Sequence, residues 1–286
     1  DGGSGKRTGL QAFNEIDDVH IICSPGVTAE TVQQAMITHC ENMKDRFCIL
    51  DPTENATVVE VQRQKEKVIS EKGYAALYYP WVKARVETLT HGKINRIEQF
   101  VPPSGYIAGI YARIDAERGV HKAPANEIVQ GILETKTPIS KGEQDVLNPN
   151  GINCIRAFAG RGIRVWGART TASDGLWKYV NVRRLFLYIE ESIDEGTRWV
   201  VFEPNGERLW GRVRATITEF LTRVWRDGAL MGTKPEEAFF VKCDRTTMTQ
   251  GDIDNGRLIC VIGVAVVKPA EFVIFRIGQF TADRKM

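Results

Sequence analysis

Short apolar runs alternate with amphipathic stretches along the first half of the chain, and this pattern predicts alternating strands and helices. DVHIICSPG, residues 18–26, is an apolar run that ends at a Pro-Gly turn, as a buried strand does. Apolar positions at helical spacing over residues 32–43 precede a second strand, RFCILDP, over 46–52. A second helix, to residue 69, and a third strand, YAALYYPWVKA over 74–84, continue the series. Such repeats build a mostly parallel sheet covered by helices.

One more helix and a long polar stretch complete this half. PPSGYIAGIYARIDAERG, residues 102–119, predicts a helix whose small residues would allow close packing on a sheet. Residues 120–150 are rich in polar and turn residues, which indicates a surface excursion with one short strand near Ile139.

The second half has a different pattern. INCIRAFAGRGIRVWGART predicts a hairpin that turns at residues 160–162. Helices are predicted over residues 181–196 and 206–229, and strands over 238–244, 257–267 and 271–280. Runs of helices followed by runs of strands describe an α+β unit. We therefore predict an α/β domain over residues 16–170 and an α+β domain over residues 171–286.

The opening residues, DGGSGKRTGL, allow two interpretations. Gly5-Lys6 matches part of a P-loop, in which glycine amides and a lysine bind phosphate, so residues 2–8 could form a phosphate site. Arg7, however, stands where a P-loop has a hydroxyl residue, and no buried strand stands before the glycines in this sequence. A flexible Gly/Ser linker over residues 1–15 is the favoured interpretation.

Composition restricts the classes of partner and cofactor. The 286 residues are 43% hydrophobic and 26% charged, as in soluble globular proteins, and the net charge of +2 gives no reason to expect nucleic acid or a membrane as partner. The six cysteines form no C-x-x-C pair, and the four histidines lie far from any paired cysteines. We expect free buried thiols, no metal site and no cofactor.

One constellation keeps an enzyme as the alternative function. Asp18, His91 and Ser104 follow the chain order of subtilisin-type serine hydrolases on a predicted α/β scaffold. That chemistry requires a serine–histidine hydrogen bond, an orienting aspartate and an oxyanion hole. The residues next to each of the three differ from the hydrolase motifs.

The helix over residues 206–229 is predicted to have two different sides. Leu209, Val213, Ile217, Phe220 and Val224 fall on one side. The other side has an arginine stripe, interrupted chiefly by Glu219, which consists of Arg208, Arg212, Arg223 and Arg226. Such a stripe fits either ordinary solvation or an acidic partner surface.

The terminal run EFVIFRIGQF is apolar on both faces except at Arg276. A strand of this kind is either central in its own sheet or an exposed edge that recruits other chains. Its residues are Glu271, Phe272, Val273, Ile274, Phe275, Arg276, Ile277, Gly278, Gln279 and Phe280.

Several long motifs resemble contractile tail sheath proteins, which occur in myophage tails, R-type pyocins and extracellular contractile injection systems. YVNVRRLFLYIEESI, WVVFEPN, AFFVKCD and KPAEFVIFRI resemble their C-terminal domain. TGLQAFNEIDDVHIICSPG and PPSGYIAGIYARID resemble the preceding domain, which in that family is subtilisin-like in fold and has no protease function. The resemblance covers nearly the whole chain from Thr8. Because the extended arm that usually begins these proteins is not in this sequence, we expect DGGSGKRTGL to tether a missing segment.

The resemblance implies a structural subunit and not an enzyme. Such subunits polymerise in stacked six-fold rings around a rigid inner tube and contract to drive the tube through a target envelope. The implied partners are other copies of the chain, the inner tube protein, and baseplate and terminal cap proteins. Assembly would occur in the bacterial cytoplasm, within a phage tail or a released injection particle. By the same analogy, residues 271–280 would pair with neighbouring subunits, and the arginine stripe would face an acidic tube.

Overall fold

The computed structural model of the chain describes residues 5–90 and 93–272. The strands are β1 (Ile21–Cys23), β2 (Phe47–Leu50), β3 (Ala75–Tyr79), β4 (Val82–Thr90), β5 (Lys93–Val101), β6 (Glu127–Ile128), β7 (Ile132–Thr135), β8 (Ile152–Phe158), β9 (Gly162–Val165), β10 (Phe239–Lys242) and β11 (Val261–Val264). The α-helices are α1 (Glu30–Met43), α2 (Val58–Lys67), α3 (Ser104–Arg118), α4 (Lys141–Leu147), α5 (Val180–Thr197), α6 (Glu207–Arg226), α7 (Pro235–Ala238) and α8 (Gln250–Asp254). Short 3₁₀ helices cover Gly9–Glu15, Gly175–Trp177 and Arg198–Val200.

A sheet of order β1-β2-β3-β8-β9-β6 forms the centre of the first half. Strands β1, β2, β3 and β8 are parallel, whereas β9 and β6 pair antiparallel. Every residue of β2 and β3 is buried, as expected for parallel strands covered on both faces. The predicted parallel sheet, the helix after residue 102 and the hairpin at residues 160–162 are confirmed.

The predicted third strand over residues 74–84 is in fact two strands. β3 ends at Tyr79, the Tyr79–Pro80 peptide is cis, and β4 begins a separate sheet of order β5-β4-β7. Proline has no N–H for a strand ladder, which explains why the run divides here. The long β4–β5 hairpin was not predicted.

The region over residues 120–150 has more structure than its polar composition predicts. It contains β6, β7 and α4. The predicted strand near Ile139 is wrong: Ile139 is buried and stands before the Ser140–Glu143 capping box that begins α4, whereas the strand lies at Ile132–Thr135. A capping box ends the extended conformation at its first residue.

The segment expected to be a linker over residues 1–15 also differs in its described part. Gly9–Glu15 is a 3₁₀ helix, and the buried Arg46 guanidinium donates hydrogen bonds to the carbonyl oxygens of Phe13 at 2.8 Å and Ile16 at 3.0 Å. The Gly5 amide donates to the Glu15 carboxylate at 2.8 Å, so a residue of the P-loop alternative is bonded within the chain.

The second half packs around its own hydrophobic cluster. Helices α5 and α6 lie against each other and α6 contacts the antiparallel β10–β11 sheet. α6 buries Leu209, Trp210, Val213, Ile217, Leu221 and Val224. Phe220, predicted to be on this side, is half-buried against Tyr188. Residues 273–280 of the predicted terminal strand lie outside the described residues.

Candidate assembly site

The Glu271 carboxylate at the start of the predicted inter-subunit strand is held by several donors. Arg169 Nε donates to Oε1 at 2.7 Å and Arg169 Nη2 donates to Oε2 at 2.8 Å, a bidentate pair. Asn148 Nδ2 donates to Oε1 at 2.7 Å, and the Tyr179 hydroxyl donates to Oε2 at 3.0 Å. Lys178 Nζ lies 4.0 Å away. The root of the terminal segment is therefore fixed on the body of the protein.

The residues that hold Glu271 come from three separate elements. Asn148 follows α4, Arg169 lies in the loop after β9, and Tyr179 is the residue before α5. The backbones of Arg169 and Tyr179 form an antiparallel bridge, and the Thr170 amide donates to the Lys178 carbonyl at 2.8 Å. The Glu271 carboxylate thus binds where the loop after β9 pairs with the residues before α5.

Asn153, in the central strand β8, sets the position of Arg169. Its Nδ2 donates to the Arg169 carbonyl at 2.7 Å, and its Oδ1 accepts from the Arg169 amide at 2.7 Å. The side chain is fully buried. A Cβ on Gly167 would lie 2.8 Å from Asn153 Oδ1, so a glycine is needed beside this amide. The site of Glu271 is therefore tied directly to the central sheet.

The pKa of Glu271 reflects competing effects of this environment. Burial favours the neutral acid, but the hydrogen bonds from Arg169, Asn148 and Tyr179, together with the charge of Arg169, outweigh burial and hold the pKa below its ordinary value. Glu271 is therefore ionised at neutral pH. A buried carboxylate of this kind is usual only when it is paired.

The β10–β11 sheet offers backbone edges for strand addition. In the part of the chain that the structure describes, these two strands form a sheet of their own. Phe240 is 49% exposed and Val261 is 44% exposed. Two-stranded sheets are marginal in water, and an unpaired edge is a template for another strand.

The arginine stripe lies on the exposed side of α6, as predicted. Arg208, Arg212, Arg223 and Arg226 are all exposed. Arg223 pairs with Glu219 at 2.8 Å, and the Arg212 guanidinium lies 4.3 Å from the centre of the Trp199 ring. Arg208 and Arg226 make no ion pair with any described residue, so two charges on this side remain free for an acidic surface.

Asp18 and Ser104, two residues of the hydrolase alternative, do not have the contacts of a catalytic triad among the described residues. Ser104 is fully buried, and its hydroxyl donates to Asp51 Oδ2 at 2.6 Å. Asp18 is exposed and makes no hydrogen bond to Ser104 among the described residues, and His91 lies outside them. Asp51 also accepts from the Ser104 and Gly26 amides, at 2.8 and 3.0 Å. This cluster fixes the start of α3 to the end of β2.

Burial raises the pKa values of the two acidic groups near Ser104 above their ordinary values. It raises the pKa of Asp51 against the three hydrogen bonds that the carboxylate accepts, and it raises the pKa of the nearby Cys23 thiol. A serine that no solvent reaches, bonded to an aspartate, is a structural contact.

Residues 5–90 and 93–272 contain neither a candidate metal site nor a candidate membrane span. No group of three or more histidine, cysteine, aspartate or glutamate side chains there is arranged to hold a metal ion. No helix in these ranges has the length and apolar content needed to cross a bilayer.

The Glu271 contacts were not predicted from the sequence. Asn148, Arg169 and Tyr179 lie 123, 102 and 92 residues from Glu271 along the chain. One signal was available: Glu271 is the only acidic residue between Asp254 and Asp283, at the head of an apolar run. A lone carboxylate in such a run indicates a buried, bonded acid.

Comparison with known proteins identifies both halves of the chain. The family model of the phage tail sheath protein central domain matches residues 3–171, and that of the phage tail sheath C-terminal domain matches residues 172–280. The tail sheath protein of Vibrio phage KVP40 is 28% identical over 196 residues, which are 67% of this chain and only 28% of that protein. A putative prophage major tail sheath protein of Pseudomonas aeruginosa is 26% identical over 288 residues, covering 96% of this chain and 69% of that protein.

Solved structures show the same similarity at higher identity. The chain matches a component of the anti-feeding prophage baseplate with a TM-score of 0.80 and 36% identity, over 95% of this chain and 71% of that one. It matches the PVC sheath complex of an extracellular contractile injection system, in the contracted state, with a TM-score of 0.81 and 35% identity, over 95% and 74%. A contractile sheath therefore contains a protein with the same fold and with 35% sequence identity to this chain. The chain belongs to the phage tail sheath protein family.

Proposed function

We propose that this chain is a structural subunit of the contractile sheath of a phage tail-like injection machine. Its copies form stacked six-fold rings around an inner tube, and contraction drives the tube through a target envelope. The observation that carries this proposal is the match, over 95% of the chain at 35% identity, to a sheath of a contractile injection system. A further match to an anti-feeding prophage helical sheath in the contracted state, at 36% identity, supports it.

Within this function, the first domain serves as a rigid body without chemistry of its own. We assign it a subtilisin-like frame, which the parallel β1-β2-β3-β8 arrangement favours. The buried Ser104–Asp51 contact favours a role in packing rather than hydrolysis. The alternative, a hydrolase using Asp18, His91 and Ser104, predicts labelling by an active-site serine probe. We expect no labelling.

The terminal strand over residues 271–280 is the proposed link between subunits. The fixed position of Glu271 and the β10–β11 sheet, which has two strands among the described residues, support this role, because a tethered strand can add to the sheet of a neighbouring copy through main-chain hydrogen bonds. The apolar side chains on both faces of the run suit a strand inside a shared sheet.

The arginine stripe is the proposed contact with an acidic inner tube. Its four exposed arginines lie on one side of a helix whose other side is in the hydrophobic core. Exposed ion pairs contribute up to about 1 kcal/mol each, so many weak contacts can break together when the sheath changes shape. Rotation of rigid subunits about such interfaces is the expected motion.

The remaining proposed partners follow from the same function. They are other copies of the chain, baseplate proteins and a terminal cap protein, with assembly in the bacterial cytoplasm before incorporation into a phage tail or release of the particle. Two structural relatives are parts of baseplate structures, which favours a contact there.

Electron microscopy tests the proposal. The purified protein should form striated cylinders or polysheath, and deletion of residues 271–286 should leave folded protein that does not polymerise. A protein that is strictly monomeric at all concentrations would count against a sheath subunit. Polymers that survive the deletion would refute strand sharing through this segment.

A further inference from the structure

The last described stretch of the chain crosses the second domain and returns to the first. The Ala265 amide donates to the Ala238 carbonyl at 2.8 Å, and the Val267 amide donates to the Ala229 carbonyl at 3.2 Å. Four residues later, Glu271 reaches the site formed by Asn148 and Arg169. The stretch after β11 is therefore attached at intervals and ends in a charged contact with the first domain.

The contact at Glu271 has the features of a fixed point rather than of a surface ion pair. The Glu271 side chain is 15% exposed and that of Arg169 is 9% exposed. Both carboxylate oxygens accept two hydrogen bonds each, from a planar guanidinium, an amide and a phenol. Bidentate geometry restricts direction as well as distance, so the carboxylate can occupy this site in one orientation only.

The partners of Glu271 cannot easily follow a moving segment. The backbone of Arg169 is bonded on both sides to the amide of Asn153, in the middle of the central sheet. The third nitrogen of the Arg169 guanidinium, Nη1, donates to the Pro149 carbonyl at 3.1 Å. Movement of the terminal segment at Glu271 would therefore break its bonds to Arg169, unless Arg169 moved too and broke its own contacts with Asn153 and Pro149.

We propose that Glu271 and its partners Asn148, Arg169 and Tyr179, here named the Glu271 clamp, position the root of the terminal strand. The clamp makes that root, up to Glu271, a rigid part of the subunit when copies assemble or rearrange. This inference rests on the proposed sharing of the terminal strand. Glu271 is a positioning residue, and the bonds to neighbouring copies come from the residues that follow it.

The physical reason is the entropy of the segment before it binds. A strand that leaves the body from a fixed root in a fixed direction samples fewer conformations than one released further back, at Val267. Ordering on association then costs less, as in other preorganised binding segments. The clamp should consequently lower the concentration at which copies associate, without itself contacting a neighbour.

Glu271→Gln tests the clamp in the intact chain. The amide nitrogen of the glutamine would face donors that require an acceptor, and the charge opposite Arg169 would be lost. The matched control is Glu236→Gln, an exposed carboxylate of α7. Hydrogen exchange of the monomeric fraction should be about tenfold faster over residues 265–272 in Glu271→Gln, and unchanged in β8, for the loss of about one charged hydrogen bond. The control should match the wild type throughout.

Assembly of the same variants supplies the second measurement. The critical concentration for polymerisation, from sedimentation, should rise about tenfold in Glu271→Gln. Arg169→Met should have a similar effect, and the double variant should be no worse than either single one, because the two residues act in one contact. A chain that ends at Phe272 separates this inference from the proposed strand sharing on which it rests.

The possible results have distinct meanings. If Glu271→Gln polymerises like the wild type while the chain ending at Phe272 does not, the clamp is refuted and strand sharing stands. Polymerisation of the chain ending at Phe272 refutes the proposed strand sharing and with it the clamp, whereas a full-length chain that stays monomeric at all concentrations refutes the proposed sheath function. Additive effects of Glu271→Gln and Arg169→Met, or faster exchange throughout the protein, would show a general loss of stability and overturn the positioning role.

Discussion

Replacement of Asn153 by alanine is the most informative single change in the central six-stranded sheet. The Asn153 amide is fully buried in β8, donates to the Arg169 carbonyl at 2.7 Å and to the Leu77 carbonyl at 3.2 Å, and accepts from the Arg169 amide at 2.7 Å. Alanine would leave the two main-chain groups of Arg169 without these partners in a site that excludes water. The position of the Arg169 backbone therefore depends on this amide.

The expected cost follows from these contacts. A buried polar group that loses its partner costs about 1–3 kcal/mol, and relaxation of the loop recovers part of that cost. We therefore expect Asn153→Ala to lower the free energy of unfolding by about 3 kcal/mol. With an m-value of about 3 kcal/mol/M, the urea midpoint of the variant should fall by about 1 M.

Urea unfolding of the monomeric fraction, followed by circular dichroism and tryptophan fluorescence, measures this difference. The matched control is Asn150→Ala: Asn150 is exposed, and its amide donates only to the Val146 carbonyl one turn earlier, at 2.8 Å. That control should change stability by less than about 0.5 kcal/mol. Equal midpoints for Asn153→Ala and Asn150→Ala would refute the claim that this amide holds the loop at Arg169.

The remaining predictions concern charge and protonation. The double variant Arg212→Glu, Arg223→Glu should weaken the extended, tube-bound sheath more than the contracted one in sedimentation of assembled particles; equal losses would exclude a tube contact. Burial raises the pKa of Cys154 to about 12, so its thiol should resist alkylation at neutral pH in the native protein and react after unfolding. Mass spectrometry of the alkylated protein measures this difference, and rapid labelling of the native protein would contradict the burial of Cys154. Because the pKa of Glu271 is lowered on folding, the stability difference between wild type and Glu271→Gln should be constant above its ordinary value of 4.5 and disappear as pH falls through the folded pKa. A difference that grows on acidification would contradict that sign.

Local patterns predicted most of the fold. The apolar run at β2 and the amphipathic spacing in α5 and α6 are local signals, and the structure has these three elements within a few residues of the predicted bounds. The Ser140–Glu143 capping box is also a local sequence signal, and it marks the start of α4 within an otherwise polar stretch.

Contacts between distant residues explain what was missed. Pro80 is a local signal for the division between β3 and β4, but which sheet each strand joins depends on distant partners, and periodicity carries no information about that choice. Ser104 was a nucleophile candidate because of its chain order with Asp18 and His91, whereas its observed partner, Asp51, lies 53 residues away along the chain. The site of Glu271 is made by three elements that meet only in the folded protein, although the lone carboxylate at the head of an apolar run was a usable signal.

Cryo-electron microscopy of the assembled protein, at a resolution that shows main-chain hydrogen bonds, tests the central claim most directly. The account predicts that the backbone of residues 273–280 pairs with the sheet of an adjacent copy, with Glu271 still bonded to Arg169 of its own subunit. Pairing of residues 273–280 solely within their own subunit, in an otherwise complete polymer, would contradict it.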